Sequence, residues 1–231
     1  MLTNSTTITT KMKSNIITYP TPQWLIAFTT GKDVELEAVG VRENTLVLPR
    51  QTHSDNVCFS TEASRPQDTD AVITNQPGLC MCVKTADCTP ILLYDDNKHV
   101  VAAVHAGWRG TLKGIVRKTV NAMKPLCPTD LHAIIGPSIS LQQFEVGDEV
   151  YEAFRSENFP MQRIAKRFPS SDGTMRWHID LWETNRWQLE QEGVVDIFVQ
   201  GLCTRTSPDF YSARREGIDT GRNYNCIIIK P

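Results

Sequence analysis

The chain has 231 residues, of which 40% are hydrophobic and 22% are charged, and its formal net charge is −2. This length is sufficient for one large domain with its own hydrophobic core. Lys and Arg are dispersed among acidic residues, which argues against nucleic-acid binding, and no apolar run is long enough to span a bilayer.

Short apolar runs that are rich in β-branched residues and flanked by breakers predict buried strands. These predicted strands cover residues 45–48, 71–74, 79–83, 91–94, 100–105, 131–135, 194–199 and 226–229. We expect one domain over residues 1–231, with the Thr- and Ser-rich residues 1–15 as a mobile tail.

Two helices follow from apolar residues at three-to-four spacing, over 112–123 and 181–189, with Asp180 as the cap of the second. Residues 155–176 carry mixed charge together with Pro160, Pro169 and Gly173, and predict a long surface loop. Strands outnumber helices and do not alternate with them. This pattern favours an α+β fold with mixed sheets.

The predicted strands 91–94 and 100–105 are separated by the polar residues 95–99, which is typical of an antiparallel hairpin. If Tyr94 lies opposite Val100, position 88 lies opposite position 106. Cys88 and His105 would then meet at the open end of the hairpin.

Two interpretations of this pair remain open. Cys88 can be a small buried hydrophobic residue and His105 a hydrogen-bonded histidine at a strand end. Alternatively, both are functional, because each lies where a strand joins a loop, and catalytic groups often occupy such junctions. The helix start after His105, with Arg109 beside it, would also suit an anion.

Seven cysteines with irregular spacing, and an N-terminus without an apolar signal region, predict reduced thiols in a cytoplasmic protein. A functional cysteine would therefore act as a thiolate, either as a metal ligand or as a nucleophile.

Several motifs resemble those of the YfiH-like family, also called laccase-domain or polyphenol oxidoreductase-like proteins. They are Gln-Thr-His at 51–53, Thr-Ala-Asp-Cys at 85–88, His-Ala-Gly-Trp-Arg-Gly at 105–110, Ile-Gly-Pro at 135–137, Phe-Glu-Val-Gly at 144–147 and Phe-Tyr-Ser-Ala-Arg-Arg-Glu-Gly at 210–217. The resemblance extends from about Gln51 to Gly221. Ala213 departs from it, because a Tyr is usual at this position, and this affects the expected shape of the pocket.

The resemblance implies a four-layer α/β/β/α sandwich of the CNF-toxin and YfiH type. It also implies a metal site formed by His53, Cys88 and His105. The implied activities are phosphorolysis of adenosine, inosine and methylthioadenosine, and deamination of adenosine. Purine nucleosides and phosphate would be the small-molecule partners, and the chain would be a monomer or a weak homo-oligomer.

Two imidazoles and one thiolate suit Zn²⁺, with copper as a competitor, and three protein ligands leave a fourth position open for catalysis. Zinc deaminases also use a carboxylate as a proton shuttle, for which Asp87 and Asp70 are candidates. Either aspartate can instead simply cap a turn. Gln51, Arg109 and Arg214 are the candidate substrate-binding residues, since Arg suits phosphate oxygens; a surface salt bridge is the alternative role for each Arg.

Three other functions compete with the zinc enzyme. The first is a cysteine hydrolase or amidase of the peptidoglycan-editing type, with Cys88 as nucleophile and His105 as base; His53 would then have no role. The second is a copper-dependent polyphenol oxidase, but five histidines without a His-x-His pair cannot form the centres of a multicopper laccase. A binding module without catalysis is the third, and it leaves an open metal site unexplained.

Overall fold

The computed structural model describes residues 12–13, 15–126, 130–194 and 196–231. The predicted tail therefore falls almost wholly outside the described residues, as does Cys127. The strands are β1 (Met12–Lys13), β2 (Ile16–Thr18), β3 (Leu25–Thr30), β4 (Leu46–Val47), β5 (Val57–Phe59), β6 (Ala71–Thr74), β7 (Cys80–Thr85), β8 (Thr89–Asp95), β9 (Val100–Ala106), β10 (Leu131–Ile135), β11 (Glu145–Val146), β12 (Ala165–Pro169), β13 (Met175–Ile179), β14 (Asp196–Val199) and β15 (Asn223–Ile229).

The helices lie mainly between the later strands. They are α1 (Trp108–Leu112), α2 (Ile115–Met123), α3 (Asp148–Ser156), α4 (Met161–Ile164), α5 (Leu181–Gln191) and α6 (Ala213–Glu216), with two 3₁₀ helices at Glu37–Val39 and Glu43–Thr45. In the part of the chain that the structure describes, no helix is long and apolar enough to cross a membrane.

Two six-stranded mixed sheets pack face to face. The first has the order β1-β2-β3-β15-β7-β4 and the second β14-β10-β8-β9-β6-β5. Met81 of the first sheet and Leu92 and Val101 of the second belong to one buried cluster between them. The predicted α+β class with mixed sheets is confirmed.

Each sheet is also covered on its outer face. Helices α2 and α5 pack on the second sheet through Ile115, Val120 and Leu189, which join Ile91 and Ile135 in a second buried cluster. Over the first sheet, the segment that contains the 3₁₀ helices contributes Leu36 and Val41 to a smaller cluster with Phe28 and Cys82. The layer on this side is therefore thinner than the helical layer opposite.

The prediction of a surface loop over 155–176 is wrong. This segment contains the end of α3, all of α4 and β12, and the start of β13, and it helps to form a third sheet of order β11-β13-β12. The residues interpreted as breakers fit this hairpin: Gly173 has a φ of 80° in the turn, and Pro169 ends an edge strand. Charged residues along β12 conceal its strand pattern.

The predicted helix over 112–123 is divided at Gly114, whose φ of 76° ends α1 and starts α2. The second predicted helix is present as α5. Its predicted cap is also confirmed, because the Asp180 carboxylate accepts a hydrogen bond from the Glu183 amide at 3.0 Å.

Replacing this cap should destabilise the chain measurably. Asp180→Ala leaves the Glu183 amide without its acceptor, so we expect the free energy of unfolding in urea to fall by about 1 kcal/mol. Asp180→Asn retains an acceptor oxygen and should stay close to the parent. Equal stability of parent and Asp180→Ala would contradict the assignment.

Candidate metal centre and cavity

Cys88 lies where the chain crosses from one sheet to the other. Strand β7 of the first sheet ends at Thr85, and β8 of the second sheet begins at Thr89. The predicted hairpin is confirmed as β8 and β9, although Pro90 pairs with His105, one residue away from the predicted register. The open end of the hairpin thus coincides with the crossover between the sheets.

Three side chains converge at this point. One ligand atom each from His53, Cys88 and His105 lies within 4.8 Å of the others, and Cys88 Sγ is 3.7 Å from His53 Nε2. His53 is exposed, Cys88 is half-buried and His105 is buried. The cluster therefore has a closed side at His105 and an open side at His53.

A buried carboxylate positions both histidines. Asp70 is fully buried, and its Oδ1 accepts hydrogen bonds from His105 Nδ1 at 2.7 Å and from the His53 amide at 3.1 Å. Its Oδ2 accepts from the Thr52 amide, the Ser54 amide and the Ser54 hydroxyl. Burial opposes ionisation, but the hydrogen bond from His105 and these other donors lower the pKa of Asp70 well below its usual range. Because an ionised carboxylate only accepts, His105 Nδ1 carries the hydrogen that Asp70 accepts, and Nε2 is the ring nitrogen that can bind a metal once it is deprotonated.

The local backbone leaves room for the cluster. His53 has a φ of 60°, an uncommon value outside glycine that the hydrogen bonds to Asp70 hold in place. At Gly107, an added Cβ would lie 2.7 Å from His53 Cδ2 and 3.1 Å from Cys88 Sγ. Only glycine lets the chain pass this close to both side chains.

The donor set suits a transition metal with an open coordination position. Burial alone would raise the pKa of the Cys88 thiol, but the neighbouring His105 and His53 lower it to about 6. Burial likewise opposes protonation of His105, whereas the Cys88 thiolate and the hydrogen bond to Asp70 raise its pKa to about 9. The side chains thus stabilise a thiolate, which is the form that binds a metal.

The cluster lines a cavity of about 620 Å³. The lining comprises Pro49, Arg50, Gln51, His53, Lys84, Ala86, Asp87, Cys88, His105, Trp108, Ile139, Phe144, Ala213, Arg214, Ile218 and Arg222. Four of these side chains are cationic, and Asp87 is the one acidic member. Ala213, the departure from the family motif, belongs to this lining and so affects the shape of the cavity.

The predicted substrate-binding residues differ in position. Arg214 lines the cavity, and its Nη1 donates to the Glu145 carbonyl at 3.1 Å. Gln51 lines it too, but both ends of its amide bond the Lys84 backbone at 2.8 Å. Arg109 is exposed, stacks 4.2 Å over the Trp108 ring and does not belong to the lining. A substrate contact by Arg109 would therefore require movement.

Asp87 is nearly buried, with a φ of 86°. Its Oδ1 accepts from the Thr204 hydroxyl at 2.6 Å, and its Oδ2 accepts from the Ser212 hydroxyl at 3.0 Å and the Arg214 amide at 2.7 Å. Both carboxylate oxygens thus bond neighbouring segments of the fold. The proton-transfer role of Asp87 stays a prediction.

Sequence reasoning missed three cations in the lining, Arg50, Lys84 and Arg222. Arg50 directly precedes the motif that begins at Gln51, Lys84 directly precedes the motif that begins at Thr85, and Arg222 follows Gly221, near which the resemblance ends. Among the described residues, none of the three forms a salt bridge with an acidic side chain. For Arg50 and Lys84, the position directly beside a motif was the available signal.

Comparisons with known proteins agree on one family. A family model described as "Multi-copper polyphenol oxidoreductase laccase" matches residues 32–230. A protein of Bacteroides thetaiotaomicron named purine nucleoside phosphorylase is 43% identical over 210 residues, covering 84% of this chain and 77% of that protein. A protein of an unknown prokaryotic organism named adenosine deaminase RL5 is 40% identical over 207 residues, covering 83% and 78%.

Solved structures share the fold. The Neisseria meningitidis protein NMB0706 has a TM-score of 0.80 and 30% sequence identity, with 94% of this chain and 100% of that chain covered. The hypothetical protein YfiH of Bacillus licheniformis has a TM-score of 0.83 and 25% identity, with 94% and 97% covered. The similarity therefore extends over nearly the whole chain.

The close approach at Gly107 provides a test of the cluster. Gly107→Ala should displace His53 or Cys88, so we expect zinc affinity to fall by about tenfold or more in competition with a chromophoric chelator. Gly193→Ala is the matched control, because the φ of 87° at Gly193 strains an alanine there, while an added Cβ would contact nothing. Unchanged zinc affinity in Gly107→Ala would show that this cluster does not hold the metal.

Proposed function

The chain belongs to the family described as multi-copper polyphenol oxidoreductase laccase, and we propose that it is a zinc-dependent enzyme acting on purine nucleosides. Relatives of the chain include proteins named purine nucleoside phosphorylase and adenosine deaminase. Its reactions would be phosphorolysis of adenosine, inosine and methylthioadenosine, and deamination of adenosine. One observation carries the proposal: a His-Cys-His cluster lies in a cavity whose lining is rich in cations.

His53, Cys88 and His105 would hold the zinc ion. Zinc bound there would supply Lewis-acid chemistry at its open coordination position. Asp70 accepts a hydrogen bond from His105 Nδ1, which leaves Nε2 as the nitrogen that would bind zinc, and it fixes the backbone of His53. The chain's contribution at this point is a preorganised set of ligands.

The rest of the cavity suits a nucleoside together with phosphate. A volume of about 620 Å³ lies within the range of small-molecule sites. Trp108, Ile139 and Phe144 offer apolar surface for a purine, while Arg214, Lys84 and Arg50 offer positive charge for phosphate oxygens. In phosphorolysis a phosphate oxygen bonds C1′ of the ribose as the C1′–N9 bond breaks, and the purine leaves with a proton. In deamination water replaces the C6 amino group, which leaves as ammonia.

A cysteine hydrolase is the second candidate, and the same geometry favours it. The Cys88 thiolate and His105 form the pair that such an enzyme requires. That mechanism does not explain His53, which contacts Cys88 Sγ at 3.7 Å. Copper in the same site, with polyphenol oxidase activity, is the third candidate, and it would use this one cluster in place of the several centres of a multicopper laccase.

The first test measures metal content and products together. We expect near-stoichiometric zinc in the parent and much less in His53→Ala, by mass spectrometry of native protein. The parent should convert adenosine to inosine without phosphate and release free purine base with phosphate, and His53→Ala should lose both activities by about a hundredfold or more. His99→Ala is the matched control, since His99 also has a positive φ, 50°, but lies in the hairpin turn remote from the cluster.

Alkylation separates the zinc enzyme from the cysteine hydrolase. If zinc coordinates Cys88, iodoacetamide should modify this thiol in chelator-treated protein and only slowly in zinc-loaded protein. Peptide mass spectrometry identifies the modified residue. A parent that contains no metal and is alkylated rapidly at Cys88 would overturn the zinc enzyme in favour of the cysteine hydrolase.

A further inference from the structure

Asp87 connects two parts of the cavity that are far apart in sequence. It directly precedes Cys88, and its carboxylate bonds Ser212 and Arg214, more than a hundred residues later. Ser212 is the N-cap of α6, and its hydroxyl also accepts the Arg215 amide at 3.2 Å. The start of α6 is therefore attached to the loop that carries Cys88.

The Arg214 side chain is held at its other end as well. Its Nη1 donates to the Glu145 carbonyl at 3.1 Å, and its guanidinium lies 5.4 Å over the Phe144 ring. The backbone amide is fixed by Asp87 and the guanidinium by Phe144 and Glu145 at the start of β11, so the side chain loses little further freedom when it binds an anion. Nε and Nη2 of Arg214 donate to no acceptor within the described residues.

We propose that Asp87 is a positioning residue, which places Arg214 for phosphate relative to the cluster of His53, Cys88 and His105. This inference rests on the proposed function, because it assumes that phosphate is a substrate. It assigns Asp87 a role other than the proton transfer predicted from its place beside Cys88.

The contacts of Asp87 favour positioning over proton transfer. A proton shuttle needs a carboxylate oxygen that is free to reach the substrate or its attacking water. Both oxygens of Asp87 already accept short hydrogen bonds, three in all, and two of them come from Ser212 and Arg214. Its main-chain carbonyl is also engaged, by the Ile139 amide at 3.0 Å. The residue is thus fixed from three segments.

Asp87→Asn is the informative substitution. Asn adopts a positive φ readily and retains one acceptor oxygen, so the fold should survive, but a neutral amide oxygen accepts more weakly than a carboxylate oxygen, so the bonds from Ser212 and Arg214 should weaken. Ser212→Ala removes the hydrogen bond from the Ser212 hydroxyl without altering Asp87. It is the substitute test if Asp87→Asn does not fold. Asp33→Asn is the matched control, since Asp33 has a φ of 60° and bonds one hydroxyl, that of Tyr211.

The readouts on zinc-loaded protein are zinc content, steady-state phosphorolysis of inosine over a range of phosphate, and deamination of adenosine without phosphate. For Asp87→Asn we expect parental zinc content, a KM for phosphate raised about tenfold or more, and a deamination kcat within about twofold of the parent. Ser212→Ala should raise the KM for phosphate by a smaller factor and leave zinc content and deamination kcat close to the parent. Asp33→Asn should match the parent.

A double variant tests whether Asp87 acts through Arg214. Arg214→Lys should itself raise the KM for phosphate, and adding Asp87→Asn should then change it little, because the residue that Asp87 positions is already replaced. If the two substitutions raise the KM for phosphate additively, the positioning role is overturned. A large loss of deamination kcat in Asp87→Asn would also overturn it, in favour of proton transfer. A parent that neither binds inorganic phosphate in calorimetry nor cleaves inosine would instead overturn the proposed function itself.

Discussion

The arrangement of the candidate metal centre depends on the buried carboxylate of Asp70. This residue immediately precedes β6, and it accepts hydrogen bonds from the Thr52–Ser54 backbone on one side and from the His105 ring on the other. A fully buried charge is tolerated only when such donors replace its hydration. The same bonds that make this charge tolerable hold His53 in its left-handed conformation and His105 in one tautomer. The hydrogen bonds that stabilise the buried carboxylate therefore also fix the geometry of the ligands.

The two packed sheets determine where His53, Cys88 and His105 meet. Cys88 lies on the crossover from β7 to β8, His105 near the end of β9, and His53 on the loop between β4 and β5. Each ligand thus comes from a different segment of the chain, yet all three segments meet at the same end of the two sheets. The ligands are surrounded by Arg50 from the β4–β5 loop, Lys84 from β7 and Arg214 from α6. Sites at the ends of rigid strands hold their side chains more precisely than sites within long loops.

The sequence predicts the interior of this fold better than its margins. Strands β6 and β10 match their predicted bounds, since β6 is buried throughout and β10 is buried over its apolar second half, Ala133–Ile135. Strands β12 and β13 escape prediction because Lys166, Arg167 and Arg176 interrupt any apolar pattern. For the site, hairpin geometry alone brings Cys88 and His105 together, but His53 required the family motif. The bonds of Asp70 and Asp87 could not be predicted, because they join residues whose contact depends on tertiary structure.

The charges in the cavity are unusual for the chain as a whole. The net charge is −2, yet Arg50, Lys84, Arg214 and Arg222 line one cavity and Asp87 is its one acid, with both oxygens already hydrogen-bonded. A divalent ion bound by one thiolate and two neutral imidazoles would add further positive charge. Like charges gathered in a cavity repel one another, and Arg214 is held in place by Glu145 and Asp87 against that repulsion. An anion is the ligand that would relieve this repulsion, so in the proposed reaction the binding of phosphate would depend on the contacts that hold Arg214.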